Sequence, residues 1–127
     1  MANEALKDTE GKISYREIDP AFIAMIAKRM SKNKNSENGK YPVGNWKNNI
    51  DILELISATE RHLCDLKLIA EKRFPIHNQD EDMNDHIAAI GCNMMMIGYQ
   101  VYKAKQLGLD AETDHYSNHV AFLNSEK

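Results

Sequence analysis

The sequence has only two cysteines, Cys64 and Cys92, and neither lies in a CxxC pair or at metal-ligand spacing. A disulfide scaffold and a cysteine-type zinc site are therefore not expected, and both thiols read as reduced core residues. Long apolar runs are missing too. No stretch approaches the roughly 20 residues that a membrane span needs, and the opening MANEALKDTEGK carries no hydrophobic signal segment, so a cytoplasmic location with no membrane partner is expected. Positive charge is not in excess. Sixteen Lys and Arg against nineteen Asp and Glu leave a net charge of -3, which argues against DNA as a partner, because sequence-independent binding needs a clustered basic surface. A local basic pocket for phosphates stays open. Walker and Rossmann glycine patterns are absent, as are internal repeats and any local motif for a Ser/His/Asp or Cys/His nucleophile.

What the sequence does contain is helical periodicity, over a length usual for one domain. Asp19-Pro20 reads as an N-cap followed by the first helical position, with Phe22, Ile23, Met25, Ile26 and Met30 as an apolar face ending near Ser31. Lys32 to Gly44 has loop composition. A second helix is expected from Trp46 to Arg73, its apolar set running from Ile52 through Leu55, Ile56, Thr59, Leu63, Leu66 and Ile69 to Ala70, with Pro75 ending it. A third runs from Glu81 to about Leu107, stopped by Gly108. The expected fold class is all-α, a small helical bundle with two long antiparallel helices. Gly91 and Gly98, seven apart on the third helix, would admit another helix closely and suggest a homo-oligomer. The expected organisation is a flexible arm over 1–17, a helical domain over 18–108, and a C-terminal helix or interface arm over 109–127. The weak alternation of Lys12 to Ile18 leaves a short strand open.

Polar residues recur on the long helices where apolar ones would be expected. Glu54, Ala58, Arg61 and Asp65 are spaced by four, three and four on one stripe, with His62 at its edge; His86, Asn93 and Gln100 are spaced by seven. Polar groups on a packing face are costly unless paired or used. A structural reading pairs Arg61 with Glu54 or Asp65 on the helix surface, for well under about 1 kcal/mol. A functional reading makes a groove between the helices, floored by Ala58 and Ala89, in which Glu54 or Arg61 meets His86 or Asn93. The loop before the second helix adds Lys40 and Lys47 as phosphate-pairing charges and Tyr41 and Trp46 as a stacking surface, although Trp46 also suits a core anchor. His115 and His119 with Asp114 have metal-compatible spacing but no visible third ligand from another element, and Met94 to Met96 read as adaptable filling.

Several short pieces, taken together, carry a family resemblance. IDPAF (Ile18 to Phe22), GKY (Gly39 to Tyr41), GNWK (Gly44 to Lys47), Glu54-Leu55 and Ala58 leading into RHL (Arg61 to Leu63), the acidic Asp80 to Asp82 and HIAAIGCN (His86 to Asn93) stand in an order and spacing that resembles the phage-type dATP/dGTP diphosphohydrolase, N-terminal family. That family is related by name and helical character to the all-α nucleoside triphosphate pyrophosphatases. The family pattern has a second His three residues after the first, where this chain has Ala89, and a Gly-containing turn before it, where this chain has Met83-Asn84. The resemblance implies a purine deoxynucleotide ligand and a phage setting.

It also implies Mg²⁺, which the all-α pyrophosphatases hold with EExxE on one helix and ExxD on the next, because cleavage between phosphates needs a cation to neutralise charge and activate water. Here the candidates are Glu54, Asp82 and Asp85, as catalytic residues and metal ligands; Asp82 and Asp85 have the i, i+3 spacing of the second half, and equally suit a helix N-terminus. The candidate ligand contacts are Lys40, Tyr41, Trp46, Lys47, Arg61, His62, His86 and Asn93. Two functions are compatible with this set. One is a pyrophosphohydrolase giving a nucleoside monophosphate and pyrophosphate. The other is a non-catalytic binder that sequesters a nucleotide or a cyclic nucleotide-derived immune signal, as an anti-defence protein does.

Overall fold

An aspartate caps the start of each helix in the computed structural model, which describes residues 10–33, 44–47 and 50–112. Asp19 Oδ1 accepts from the backbone N–H of Ala21 at 2.9 Å and opens α1, Pro20–Asn33. Asp51, in extended conformation, accepts from Leu53 N and opens α2, Ile52–Ala70. Asp82 accepts from Asp85 N at 2.9 Å while the Asp85 carboxylate accepts from Asp82 N at 3.0 Å, a reciprocal capping box that opens α3, Met83–Gln106. Each such cap satisfies a backbone donor the helix cannot, for about 1 kcal/mol. The Asp51 cap also corrects the expected start of α2. Trp46 lies ahead of the helix in a separate 3₁₀ turn, Asn45–Lys47. Residues 12–18 form turns, bends and irregular backbone, and no strand occurs among the described residues.

The two long helices end in the same way with different residues. After α3, Gly108 N donates to Lys105 O and Leu109 N to Ala104 O, with Gly108 at φ 76°. After α2, Lys72 N donates to Ile69 O and Arg73 N to Leu68 O, with Lys72 at φ 64°. Both are Schellman closures, whose left-handed residue is ordinarily glycine because a Cβ is strained there. Gly108 therefore stops α3 as its sequence suggests, whereas α2 ends at Ala70, ahead of Pro75, on a lysine.

α3 is the central helix and packs against both α1 and α2. The buried apolar residues are Leu55 and Leu68 from α2 and Ala88, Ala89, Cys92 and Ala104 from α3. Small residues on α3 let the neighbouring backbones approach. Of the apolar set expected to face inward from α2, Ile56 and Leu63 are exposed. With Phe22, Ile23, Ile90, Met94 and Met95, Leu63 lines an apolar groove of about 790 Å³. The fully buried large side chains are instead polar, His86 and Asp65. The two helical glycines differ. A Cβ on Gly91 would lie 2.9 Å from Ile26 Cγ1 and Cδ1, so the helix it admits is α1 of the same chain, while a Cβ on Gly98 would meet nothing within 4 Å.

Two predictions follow from these backbones. Lys72→Gly relieves the left-handed strain and should raise stability by about 0.5–1 kcal/mol in urea unfolding, and Gly108→Ala should lower it by about 1 kcal/mol. Gly91→Ala should destabilise by about 1–3 kcal/mol through overpacking against Ile26, whereas Gly98→Ala should stabilise by up to about 1 kcal/mol through helix propensity alone. Equal effects at the two glycines would show that α1 does not pack at Gly91.

Candidate functional site

His62 on α2 and His86 on α3 are 24 positions apart in sequence and meet through their Nδ1 atoms at 2.9 Å. One ring must donate and the other accept. His86 is fully buried, and its Nε2 has no hydrogen-bond partner. Buried polar atoms are nearly always satisfied, so a histidine that uses one ring nitrogen and leaves the other unpartnered is unusual for a purely structural residue. Burial lowers the pKa of His62 below 6.5, with the charge of Arg29 adding to it and that of Glu81 opposing it.

Glu81 completes the cluster from the turn that precedes α3. Its Oε1 lies 3.7 Å from His62 Nδ1 and accepts from Asn78 Nδ2 at 2.8 Å, while its Oε2 accepts from Arg29 Nη1 at 2.7 Å. Arg29 also reaches the carbonyl oxygen of Asp85 at 3.4 Å. All three helices thus contribute: α1 supplies Arg29, α2 supplies His62, and α3 supplies His86. One ligand atom each from His62, Glu81 and His86 lie within 4.8 Å of one another.

The cluster depends on a second buried group one turn along α2. Asp65 is fully buried and accepts the backbone N–H groups of Ile76, His77 and Asn78 at 2.8 to 3.1 Å. Burial alone would raise its pKa, but these three donors outweigh it and hold the carboxyl below its ordinary 3.8. Cys64 and His77 lie near enough to Asp65 to form a second group of metal-type ligands, yet both Asp65 oxygens are taken up by the loop backbone.

The remaining candidates are dispersed. Asn93 is half-buried on α3. Arg61 is exposed and donates to Ser57 Oγ at 3.1 Å rather than pairing with Glu54 or Asp65. Trp46 packs edge to face on Tyr99, centroids 5.2 Å apart, with Lys47 Nζ 5.4 Å from the Trp46 ring centroid, and Gln100 Nε2 donates to Ile50 O at 2.8 Å. Tyr99 follows His86 by thirteen residues, about 20 Å along α3, so the groove read as one site has two separate ends. Lys40, Tyr41, Asp114, His115 and His119 lie outside the described residues. Asp82 and Asp85 are engaged in the capping box, Glu54 is exposed, and the three do not converge among the described residues. The oxygen-only donor set that Mg²⁺ prefers is therefore not assembled by them.

Sequence reasoning missed Arg29, Glu81 and Asn78. Arg29 was legible only as a polar-face residue because its partner lies 52 positions away. Glu81 stood in an acidic run in which spacing alone did not distinguish it from Asp82.

In comparison with known proteins, a family model described as dATP/dGTP diphosphohydrolase, N-terminal, matches residues 2–111, including most of the stretch expected to be an arm. No curated protein and no solved structure matches the chain.

The Asp65 carboxylate gives a pH prediction. Its folded pKa lies below the unfolded value, so its stabilisation is fully present above 3.8 and is lost as pH falls through the lower folded value. Asp65→Asn should lower the Tm markedly at neutral pH and flatten the dependence of Tm on pH in the acid range. A variant with unchanged Tm and pH profile would show that the carboxylate does not hold the loop.

Proposed function

This chain belongs to the dATP/dGTP diphosphohydrolase, N-terminal family, and from that kinship we propose that it binds a purine deoxynucleoside triphosphate at the His62–His86 end of the helix pair and hydrolyses it to the monophosphate and pyrophosphate. The observation that carries the placement is the 2.9 Å approach of His62 and His86, with His86 buried and Nε2 unpartnered. Arg61, exposed one position before His62, supplies charge for the phosphates there. Asn93 lies on the same helix as His86, two turns further on. Trp46 and Lys47 form a second, aromatic and basic end that would take another part of the ligand, and Lys40 and Tyr41, which lie outside the described residues, are proposed as further ligand contacts. The setting is phage nucleotide-pool control in the cytoplasm. Two long antiparallel helices belong to this reading, supported by the pairing of residue 62 with 86 and of 50 with 100, as does a homo-oligomer.

A second reading is favoured by one observation. Glu54, Asp82 and Asp85 do not converge, which suits a protein that binds a nucleotide or cyclic nucleotide-derived immune signal without cutting it, as an anti-defence protein would. The two are separated by incubating the protein with dGTP, dATP, dCTP and dTTP in Mg²⁺ or Mn²⁺ and following products by ion-exchange chromatography, alongside calorimetric binding. The hydrolase should release monophosphate and pyrophosphate from the purine substrates, and His62→Gln and Arg61→Ala should each cut turnover by about tenfold or more, equivalent to about 1.4 kcal/mol of lost interaction. Intact nucleotide bound and recovered would select the second reading. Neither binding nor turnover with any of the four would overturn the deoxynucleoside triphosphate assignment.

A further inference from the structure

We infer that His62, Glu81 and His86 form a binding site for a divalent transition-metal ion of the Zn²⁺ class. Two imidazole nitrogens bonded to one ion at about 2.0–2.1 Å, at angles between octahedral and tetrahedral, stand about 2.9 to 3.4 Å apart. The Nδ1 atoms of His62 and His86 are 2.9 Å apart. Glu81 Oε1 is 3.7 Å from His62 Nδ1, a few tenths beyond that range and within reach of a small side-chain rotation. Without an ion, two like nitrogens face each other and only one can carry the proton. With one, both Nδ1 atoms turn their lone pairs to the metal and both rings carry their proton on Nε2.

The surroundings fit a ligand set. A metal-bound carboxylate is ordinarily held by further hydrogen bonds, and Glu81 accepts from Arg29 on one oxygen and from Asn78 on the other. Asn78 is itself fixed through its backbone to Asp65. The donor set is two nitrogens and one oxygen, which favours Zn²⁺, Co²⁺ or Ni²⁺ over Mg²⁺. Three protein ligands leave a coordination position for water or a phosphate oxygen. The ion with Glu81 and Arg29 would carry a formal charge of about +2, complementary to a polyphosphate. That last link rests on the proposed function; the metal site itself does not.

The test uses tag-free full chain stripped with chelator, with no nucleotide present. Titration with Co²⁺ should give visible d–d absorption saturating at one equivalent, displaced by Zn²⁺ and not by Mg²⁺. His62→Gln and Glu81→Gln, which change half-buried residues and can be checked for folding by circular dichroism, should weaken Co²⁺ binding by roughly tenfold or more. His86→Gln should do the same where it folds. His77→Gln and Cys64→Ser should leave binding unchanged. No Co²⁺ or Zn²⁺ binding by the wild-type chain, binding retained in His62→Gln, or loss in His77→Gln would each overturn the site. Nucleotide binding by a chain that takes no metal would overturn this inference and leave the proposed function standing; metal binding with no nucleotide binding would do the reverse.

Discussion

The three backbone N–H groups that Asp65 gathers from residues 76–78 determine where the rest of the molecule can be. α2 ends at Ala70 and α3 begins at Met83, so the connection must turn the chain within a dozen residues. Three donors converging on one buried carboxylate pin that connection against the middle of the last turns of α2 rather than beyond its end. Asn78, held this way, orients Glu81; the capping box at Asp82 then sets the phase of α3, and His86 arrives one turn later opposite His62. His62 and Asp65 are three residues apart on α2, so the group that anchors the loop and the group that meets α3 share one face. A buried acid with fewer donors would protonate or move to water, and this chain of positions would lose its origin.

Burying polar groups in this way changes how the core is built. The α2–α3 interface relies on small α3 residues, Ala88, Ala89, Cys92 and Ala104, with Leu55 and Leu68 facing them. Close helix approach brings His62 and His86 within hydrogen-bond range, which bulkier residues on α3 would prevent. The cost appears on the other side of the bundle, where α1 approaches α3 closely at Gly91 and Cys92 but leaves Phe22, Ile23 and Leu63 exposed along an apolar groove. Polar contacts therefore set the register between α2 and α3, while apolar contact attaches α1 less completely. Arg29 offsets that partly, since its ion pair with Glu81 ties α1 to the start of α3.

The family kinship does not by itself say which side chains act together; that depends on which carboxylates and imidazoles converge. Asp82 and Asp85 each commit one carboxylate oxygen to the helix start, and with Glu54 they form no convergent oxygen cluster among the described residues. The pKa of Asp85 is lowered first by its bond to the Asp82 backbone, with burial opposing and the charges of Lys32 and Arg29 adding to the lowering. The donors that do converge are Glu81 and His86, immediately flanking the capping-box residues, and His62 of α2. Arg29 beside Glu81 keeps the region from being purely anionic.

Helix identity was legible from sequence wherever local chemistry decides it: Asp19-Pro20 opening α1, Gly108 closing α3, and the long periodic stretches between. His62 and His86 were legible as candidates because polar residues interrupt an apolar period there. Their joining was not, since spacing gives the face of a residue on its own helix and says nothing of the register between helices. Arg29, Asn78 and Glu81 look in sequence like ordinary surface polarity and acquire meaning only through partners brought together by folding. Trp46 and Lys47 were read into the same groove as the histidines, and the 1.5 Å rise of α3 separates them instead. The sequence by itself determined the all-helical class, the caps and the list of polar residues on packing faces, because these follow from local backbone chemistry and a 3.6-residue period. Only the tertiary structure decided which of those residues share a site, because that depends on the Asp65 anchor and on how closely two helices can approach.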